Sequence, residues 1–112
     1  MKLITAVVRP TALESIEVAL AQAGVRGITV TEVEGYGRQQ GHTEVYRGEE
    51  YTIDFLTKAK VEVLCDDAEA PDVIRTITEA ARTGAVGDGK VWMTAVEDVI
   101  RIRTGEHGEA AL

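Results

Sequence analysis

Aromatic side chains are scarce in this 112-residue chain: three Tyr, one Trp and one Phe. A sheet that stacks RNA bases needs exposed rings and a basic face, and the formal net charge here is −7. Five rings on an acidic chain therefore argue against an RNA-binding domain and against broad attraction to DNA or anionic lipid. Cys65 is the only cysteine, which rules out an intramolecular disulfide and a Cys-pair metal site and requires no oxidising compartment. His42 and His107 are too far apart to suggest a local metal motif, and no third ligand stands out. No apolar run approaches the ~20 residues of a membrane span, and no basic stretch followed by an apolar one opens the sequence. These absences read as a soluble cytoplasmic protein of one domain.

What is present is periodic. Leu3 to Val8 is short, β-branched and closed by Pro10, which predicts a strand. From Thr11 to Ala23, Leu13, Ile16, Leu20 and Ala23 recur at helical spacing, and Gly24 is a stop. Ile28 to Glu34 predicts a second strand, and Lys58 to Cys65 a third, with Ala59, Val61, Val63 and Cys65 alternating against Lys60, Glu62 and Leu64. A second helix follows, with Asp67 as N-cap, Pro71 in its first turn, a stripe of Val73, Ile74, Ile77 and Ala81, and Gly84 as terminator. Lys90 to Val96 is a fourth strand. The order βαββαβ is that of an α+β, ferredoxin-like domain, with two helices on one face of a four-stranded antiparallel sheet.

That arrangement leaves the second sheet face, carrying Leu3, Thr5 and Val7, without a cover. Self-association is the simplest remedy, and a lone domain with a modestly apolar open sheet is the alternative. A second irregularity is the connection from Gly37 to Thr57, which is 21 residues long where hairpin loops take about 2 to 5. Loops of that length are functional or disordered.

The segment from Thr83 to Trp92 holds Gly84, Gly87 and Gly89 within six residues, followed by Lys90. Glycines let successive N–H groups turn inward into an anion nest with Lys90 at its edge. A helix-to-strand turn that needs positive φ explains the same glycines equally well. The spacing nearly matches a P-loop, but Val91 stands where a Mg²⁺-binding hydroxyl is required, and Lys90 opens a strand rather than a helix, so a Walker-type NTPase is rejected. Arg101-Ile102-Arg103 would set two guanidiniums on one side of an extended segment, and in Gly35-Tyr36-Gly37-Arg38-Gln39 a glycine-relieved turn is followed by a cation, Arg38. Together Arg38, Lys90, Arg101 and Arg103 offer a polyanion several partners on an otherwise acidic chain.

Three blocks carry a family resemblance across essentially the whole chain. Gly35-Tyr36-Gly37-Arg38-Gln39-Gln40-Gly41-His42-Thr43-Glu44-Val45-Tyr46-Arg47-Gly48-Glu49-Glu50-Tyr51 resembles the T-loop of the PII nitrogen-regulatory signal-transduction proteins. Thr83 to Met93 is similar to their B-loop, and Arg101 to Glu106 to their C-terminal loop. The resemblance implies one PII-type domain over residues 1–112, with the T-loop at about 37–57, the B-loop at about 83–90 and the C-terminal loop at about 101–112. It further implies a homotrimer with nucleotide in the three clefts between subunits.

Carried over by position, the resemblance implies that Gly37, Arg38, Gln39, Gly87, Asp88, Gly89 and Lys90 hold ATP or ADP, with Arg101 and Arg103 on the phosphates. Thr29, Glu62 and Leu64 fall where the family contacts adenosine. It implies 2-oxoglutarate beside Mg-ATP, with Gln39 supporting the Mg²⁺ and Lys58 pairing with a carboxylate; a 2-oxo acid can chelate Mg²⁺ through carboxylate and keto oxygens. Tyr51 matches the tyrosine that is uridylylated or adenylylated, and Arg47 near the loop tip is the expected contact to an ammonium transporter. A nucleotidyltransferase and a transcription regulator are further implied partners, with reversible recruitment to the inner membrane face through the transporter.

Four positions depart from the family pattern: Glu49 replaces a small residue, Gln40 and Ala85 replace cations, and Thr57 replaces a proline. None is a residue given a role above. The expectation is a sensor without catalytic residues; the alternative is a slow ATP-hydrolysing enzyme, against which no water-activating base stands close to the motif.

Overall fold

The computed structural model describes residues 1–37, 42–46, 49–53 and 55–112, the second and third of these ranges as backbone alone. The elements are β1 (Lys2–Val8), α1 (Leu13–Gln22), β2 (Thr29–Gly35), β3 (His42–Tyr46), β4 (Glu49–Ile53), β5 (Leu56–Cys65), α2 (Ala70–Ala81) and β6 (Lys90–Ala95). Four of the strands form one antiparallel sheet in the order β2-β5-β1-β6. With β3 and β4 set aside, this is the ferredoxin-like βαββαβ topology, in which each helix crosses over between strands that are not neighbours. β3 and β4 pair with one another as a two-stranded sheet inside the segment predicted as a long loop.

Alternation decides which face is covered. Ile4, Ala6 and Val8 of β1 and Ala59, Val61, Val63 and Cys65 of β5 are buried in one cluster with Ile16 and Leu20 of α1 and Val73 and Ile77 of α2. Both helices therefore lie on the same side of the sheet. In α2 the buried positions Ala70, Val73, Ile77 and Ala81 follow the helical repeat as one stripe, while Ile74 beside them is only partly buried. Full burial of Ile4, Ile16, Leu20 and Ile77 contributes about 1.5–3 kcal/mol each.

The helix ends differ from the sequence reading. A 3₁₀ turn over Pro10–Ala12 precedes α1, so the α-helix begins at Leu13 rather than Thr11. Asp67 is not the N-cap of α2. The Oδ1 of Asp66 accepts the Glu69 N–H at 2.7 Å, and Asp67 instead pairs with the Met1 amine at 2.9 Å. α2 stops at Ala81, and Arg82 is already extended at φ −69°, ψ 128°, so Gly84 lies beyond the helix end.

On the open face, register places Thr5 between Glu62 and Trp92, Leu3 between Leu64 and Thr94, and Val7 between Lys60 and Lys90. Trp92 and Leu64 remain 44% and 48% exposed, so large apolar side chains do project from this face. Among the described residues no helix is long and apolar enough to cross a membrane.

Candidate functional site

The loop between α2 and β6 is built around backbone that only glycine adopts easily. Gly84, Gly87 and Gly89 have φ of 87°, 105° and 94°. Gly89 is required for a second reason, since a Cβ there would stand 1.8 Å from the Val7 carbonyl oxygen of β1. The close approach sets the loop against the end of the sheet just before Lys90 opens β6 opposite Val7.

Asp88 organises this loop from within. Its Oδ2 accepts the backbone N–H groups of Thr83 at 2.8 Å and Gly84 at 2.9 Å, and its Oδ1 accepts the Thr83 hydroxyl. The Arg9 guanidinium lies 3.6 Å from the same carboxylate and also donates to the Val86 carbonyl oxygen. The Thr83 hydroxyl and N–H, helped by Gly84 and Arg9, hold the Asp88 carboxyl down to about 2 against the opposing effect of burial.

Lys58, at the start of β5, donates to the Gly87 carbonyl oxygen at 3.3 Å. Burial lowers its pKa, and the nearby Arg9 charge lowers it further. A cation partly withdrawn from water beside a second cation is a site that favours an incoming anion. Lys90, which opens β6 directly after this loop, is exposed.

A second cluster sits at the other end of the sheet. Thr29, Glu62 and Leu64 line a cavity of about 520 Å³ together with Leu3, Val99 and Leu112. Register joins Thr29 to Glu62 directly, while Leu64 follows two residues along β5 on the same face. The residues after β6 form the nearby wall. Arg101 donates to Glu106 at 3.2 Å and to the Leu112 backbone carbonyl oxygen at 2.9 Å. Asp98 accepts from the Val99 N–H and faces the His107 ring at 2.9 Å, a contact that leads the lowering of the Asp98 pKa.

This combination of fold and loops has relatives along the full chain. The family model described as "Nitrogen regulatory protein P-II" matches residues 1–106. The chain belongs to the nitrogen regulatory protein P-II family. It is 52% identical over 112 residues to the Nitrogen regulatory protein P-II of Azospirillum brasilense, 54% to that of Rhizobium meliloti and 50% to the Nitrogen regulatory protein GlnK of Escherichia coli, covering all of each chain in every case. It is accordingly a regulatory signalling protein of the P-II type.

Of the residues assigned by position to the P-II nucleotide site, the structure brings Gly87, Asp88, Gly89 and Lys90 together with Lys58. It sets Thr29, Glu62 and Leu64 apart from them, at the opposite end of β5. Arg101 is on the side of this second cluster, because Leu112, which it holds, lines the cavity. The segment 101–104 turns instead of extending: the Gly105 N–H returns to the Arg101 carbonyl oxygen at 2.7 Å. Arg101 and Arg103 therefore do not share one side of a strand; Arg103 is exposed.

Arg38, Gln39 and Arg47 lie outside the described residues, and Tyr51 is described only as backbone, in β4 opposite Glu44. The root of the segment 37–57 is defined. β2 and β5 stay paired up to Gly35 and Leu56, and the Tyr36 and Phe55 rings just beyond meet edge to face at 5.4 Å. Gly37 follows at the end of this described root. Leu56 and Thr57 belong to β5 itself, so the ladder starts before the point taken as the loop's exit.

Sequence reasoning missed Arg9. The available signal was a cation directly after an apolar strand and before Pro10, a position with nothing local to pair with.

Proposed function

We propose that this P-II protein senses ATP or ADP together with 2-oxoglutarate and passes their levels to partner proteins. The observation that carries the reading is the cluster of Arg9, Lys58 and Lys90 around the glycine loop on a chain of net charge −7. A local cation cluster on an acidic protein selects a small polyanion over nucleic acid. The N–H groups and Lys90 suit the phosphates of ATP or ADP, with Arg101 and Arg103 as further phosphate partners. Lys58 suits a carboxylate of 2-oxoglutarate, with Mg²⁺ held by Gln39, ATP and the 2-oxo acid.

The two clusters point to a site shared between copies. Lys58 and Leu64 are six residues apart on the same face of β5, or about 20 Å at the rise of a strand. A homotrimer that covers the open face would set one copy's glycine loop and Gly37 beside the next copy's Thr29, Glu62, Leu64, Arg101 and Arg103. That arrangement supplies nucleotide contacts that one chain keeps apart.

The output runs through residues 37–57. Ligands at the loop's root bias its conformation, a population shift rather than a new fold. Arg47 contacts an ammonium transporter and thereby recruits the protein to the inner membrane face. Nucleotidylylation of Tyr51, as a uridylyl or adenylyl group, adds a bulky anion that alters partner choice, a transcription regulator included. Hydrolysis is not the task of this site. Asp88, the one carboxylate of the glycine loop, is held near pKa 2 by its own loop and is a weak base toward water.

Calorimetric titration with ATP and 2-oxoglutarate, separately and together, tests the reading. The expected result is nucleotide binding, with 2-oxoglutarate taken up only when Mg-ATP is present. Absence of nucleotide binding would overturn it.

A further inference from the structure

By position Asp88 belongs with the nucleotide contacts, yet its carboxylate is spent elsewhere. Three donors of its own loop, the Thr83 N–H, the Gly84 N–H and the Thr83 hydroxyl, converge on its two oxygens. Arg9 supplies the opposing charge at 3.6 Å and ties down Val86 in the same loop. The Thr83 hydroxyl oxygen in turn accepts the Ala85 N–H at 3.2 Å, so each residue from Thr83 to Ala85 is fixed through Asp88. Among the described residues, the N–H groups of Gly87 and Gly89 take no part in this network.

A carboxylate facing a phosphate would repel it at close range. Turned inward and hydrogen-bonded three times, the same carboxylate shapes the loop. Its negative charge lies against Arg9, while the Gly87 and Gly89 N–H groups and Lys90 are left for the anion. Preorganising donors in this way raises affinity by lowering the ordering cost at binding.

We propose that Asp88 is a positioning residue of the phosphate loop, acting through Thr83 and Arg9 and not by touching the ligand. The proposal rests on the nucleotide-sensing reading above. It gives Arg9 and Thr83 a role in phosphate recognition and removes the Asp88 side chain from the ligand shell.

The test is a cycle of ADP titrations, with and without Mg²⁺, on wild type, Asp88→Asn, Thr83→Ala, their double variant and Thr83→Ser, paired with amide hydrogen exchange over residues 84–89. Asp88→Asn and Thr83→Ala are each expected to weaken ADP about tenfold, the loss of one charge-assisted bond. The losses should not add in the double variant, because both cut one network. Thr83→Ser keeps the hydroxyl and should restore binding. Exchange at 84–89 should quicken in the two weakened variants. Additive losses, wild-type affinity in Thr83→Ala, or an Asp88→Asn effect that appears only with Mg²⁺ would each overturn the proposal. Should wild type take up no nucleotide, the sensing reading fails separately. The loop-shaping claim is then decided by exchange alone, and unchanged protection in Asp88→Asn would end it.

Discussion

Gly89 and Val7 share one space: a Cβ on Gly89 would lie 1.8 Å from the Val7 carbonyl oxygen. No rotamer relieves such a contact, because a Cβ is fixed by its own backbone and the atom it meets is a backbone carbonyl oxygen of β1. Gly84 also has positive φ, yet a Cβ there would meet nothing within 4 Å. Gly84→Ala is therefore expected to cost only the left-handed conformation, about 1–2 kcal/mol. Gly89→Ala adds overlap and backbone movement and should cost distinctly more, about 1–3 kcal/mol beyond that figure. Urea unfolding of both variants checks this; equal losses would show that the close approach has no energetic weight.

The Asp88 carboxyl should titrate far below an ordinary aspartate. Its folded pKa is held at about 2, whereas an unfolded Asp titrates near ~3.9. A lowered folded pKa means that the stabilising effect of the charged form is fully present above the unfolded value. It is then lost as pH falls from about 4 through about 2. Carboxyl-carbon NMR should place the Asp88 midpoint near 2 in wild type and higher in Thr83→Ala, the hydroxyl being the first cause of the shift. An ordinary midpoint in wild type would contradict the bonding around this loop.

How much of this was legible in the sequence depends on the range of the interaction. Strand alternation in β5 and the 3.6-residue stripe of α2 report which side of each element is buried, and both reappear in the core. Capping was misread at Asp67 because Asp66 and Asp67 are adjacent and chemically alike; the choice between them falls to the Met1 amine, which is distant in sequence. The glycine loop was visible as a pattern, but its internal anchor was not. Asp88 is bound to Arg9, 79 positions away, and no local periodicity encodes that contact. The turn at 101–104 escaped for a related reason: two arginines flanking one isoleucine look extended, and only Gly105 at φ 73° closes the bend.

Glu106 and a bound polyphosphate should compete for Arg101. The Arg101 guanidinium bonds Glu106 at 3.2 Å, with both side chains more than a third exposed, so the pair is worth ~0.2–1 kcal/mol after solvent screening. Glu106→Gln is expected to tighten ATP by about 1.4- to fivefold, the same range expressed as affinity. Arg101→Ala should weaken it by about tenfold or more through loss of charge-assisted bonds to phosphate. Calorimetry on both variants checks the pair of effects. Weaker ATP binding by Glu106→Gln would mean that Glu106 holds Arg101 in place for the ligand and does not compete with it.

Trp92 gives a direct reading of whether the open face is covered in solution. It is the only tryptophan, and in the single chain it is 44% exposed on the face it shares with Thr5 and Glu62. Covering that face with other copies would remove Trp92, Leu64 and Leu3 from water together, and burial of a large apolar patch is the driving force for association. Assembly should therefore be present without ligand, since the face exists whether or not nucleotide is bound. The expected result is trimer mass by light scattering, blue-shifted Trp92 emission and poor quenching by iodide. Dilution or mild denaturant that separates the copies should move emission to the red and raise quenching in step with the fall in mass. A monomer with solvent-type emission at working concentration would show that one chain tolerates its open face. The two clusters at the ends of β5 that are proposed to share a nucleotide would then have no means of meeting.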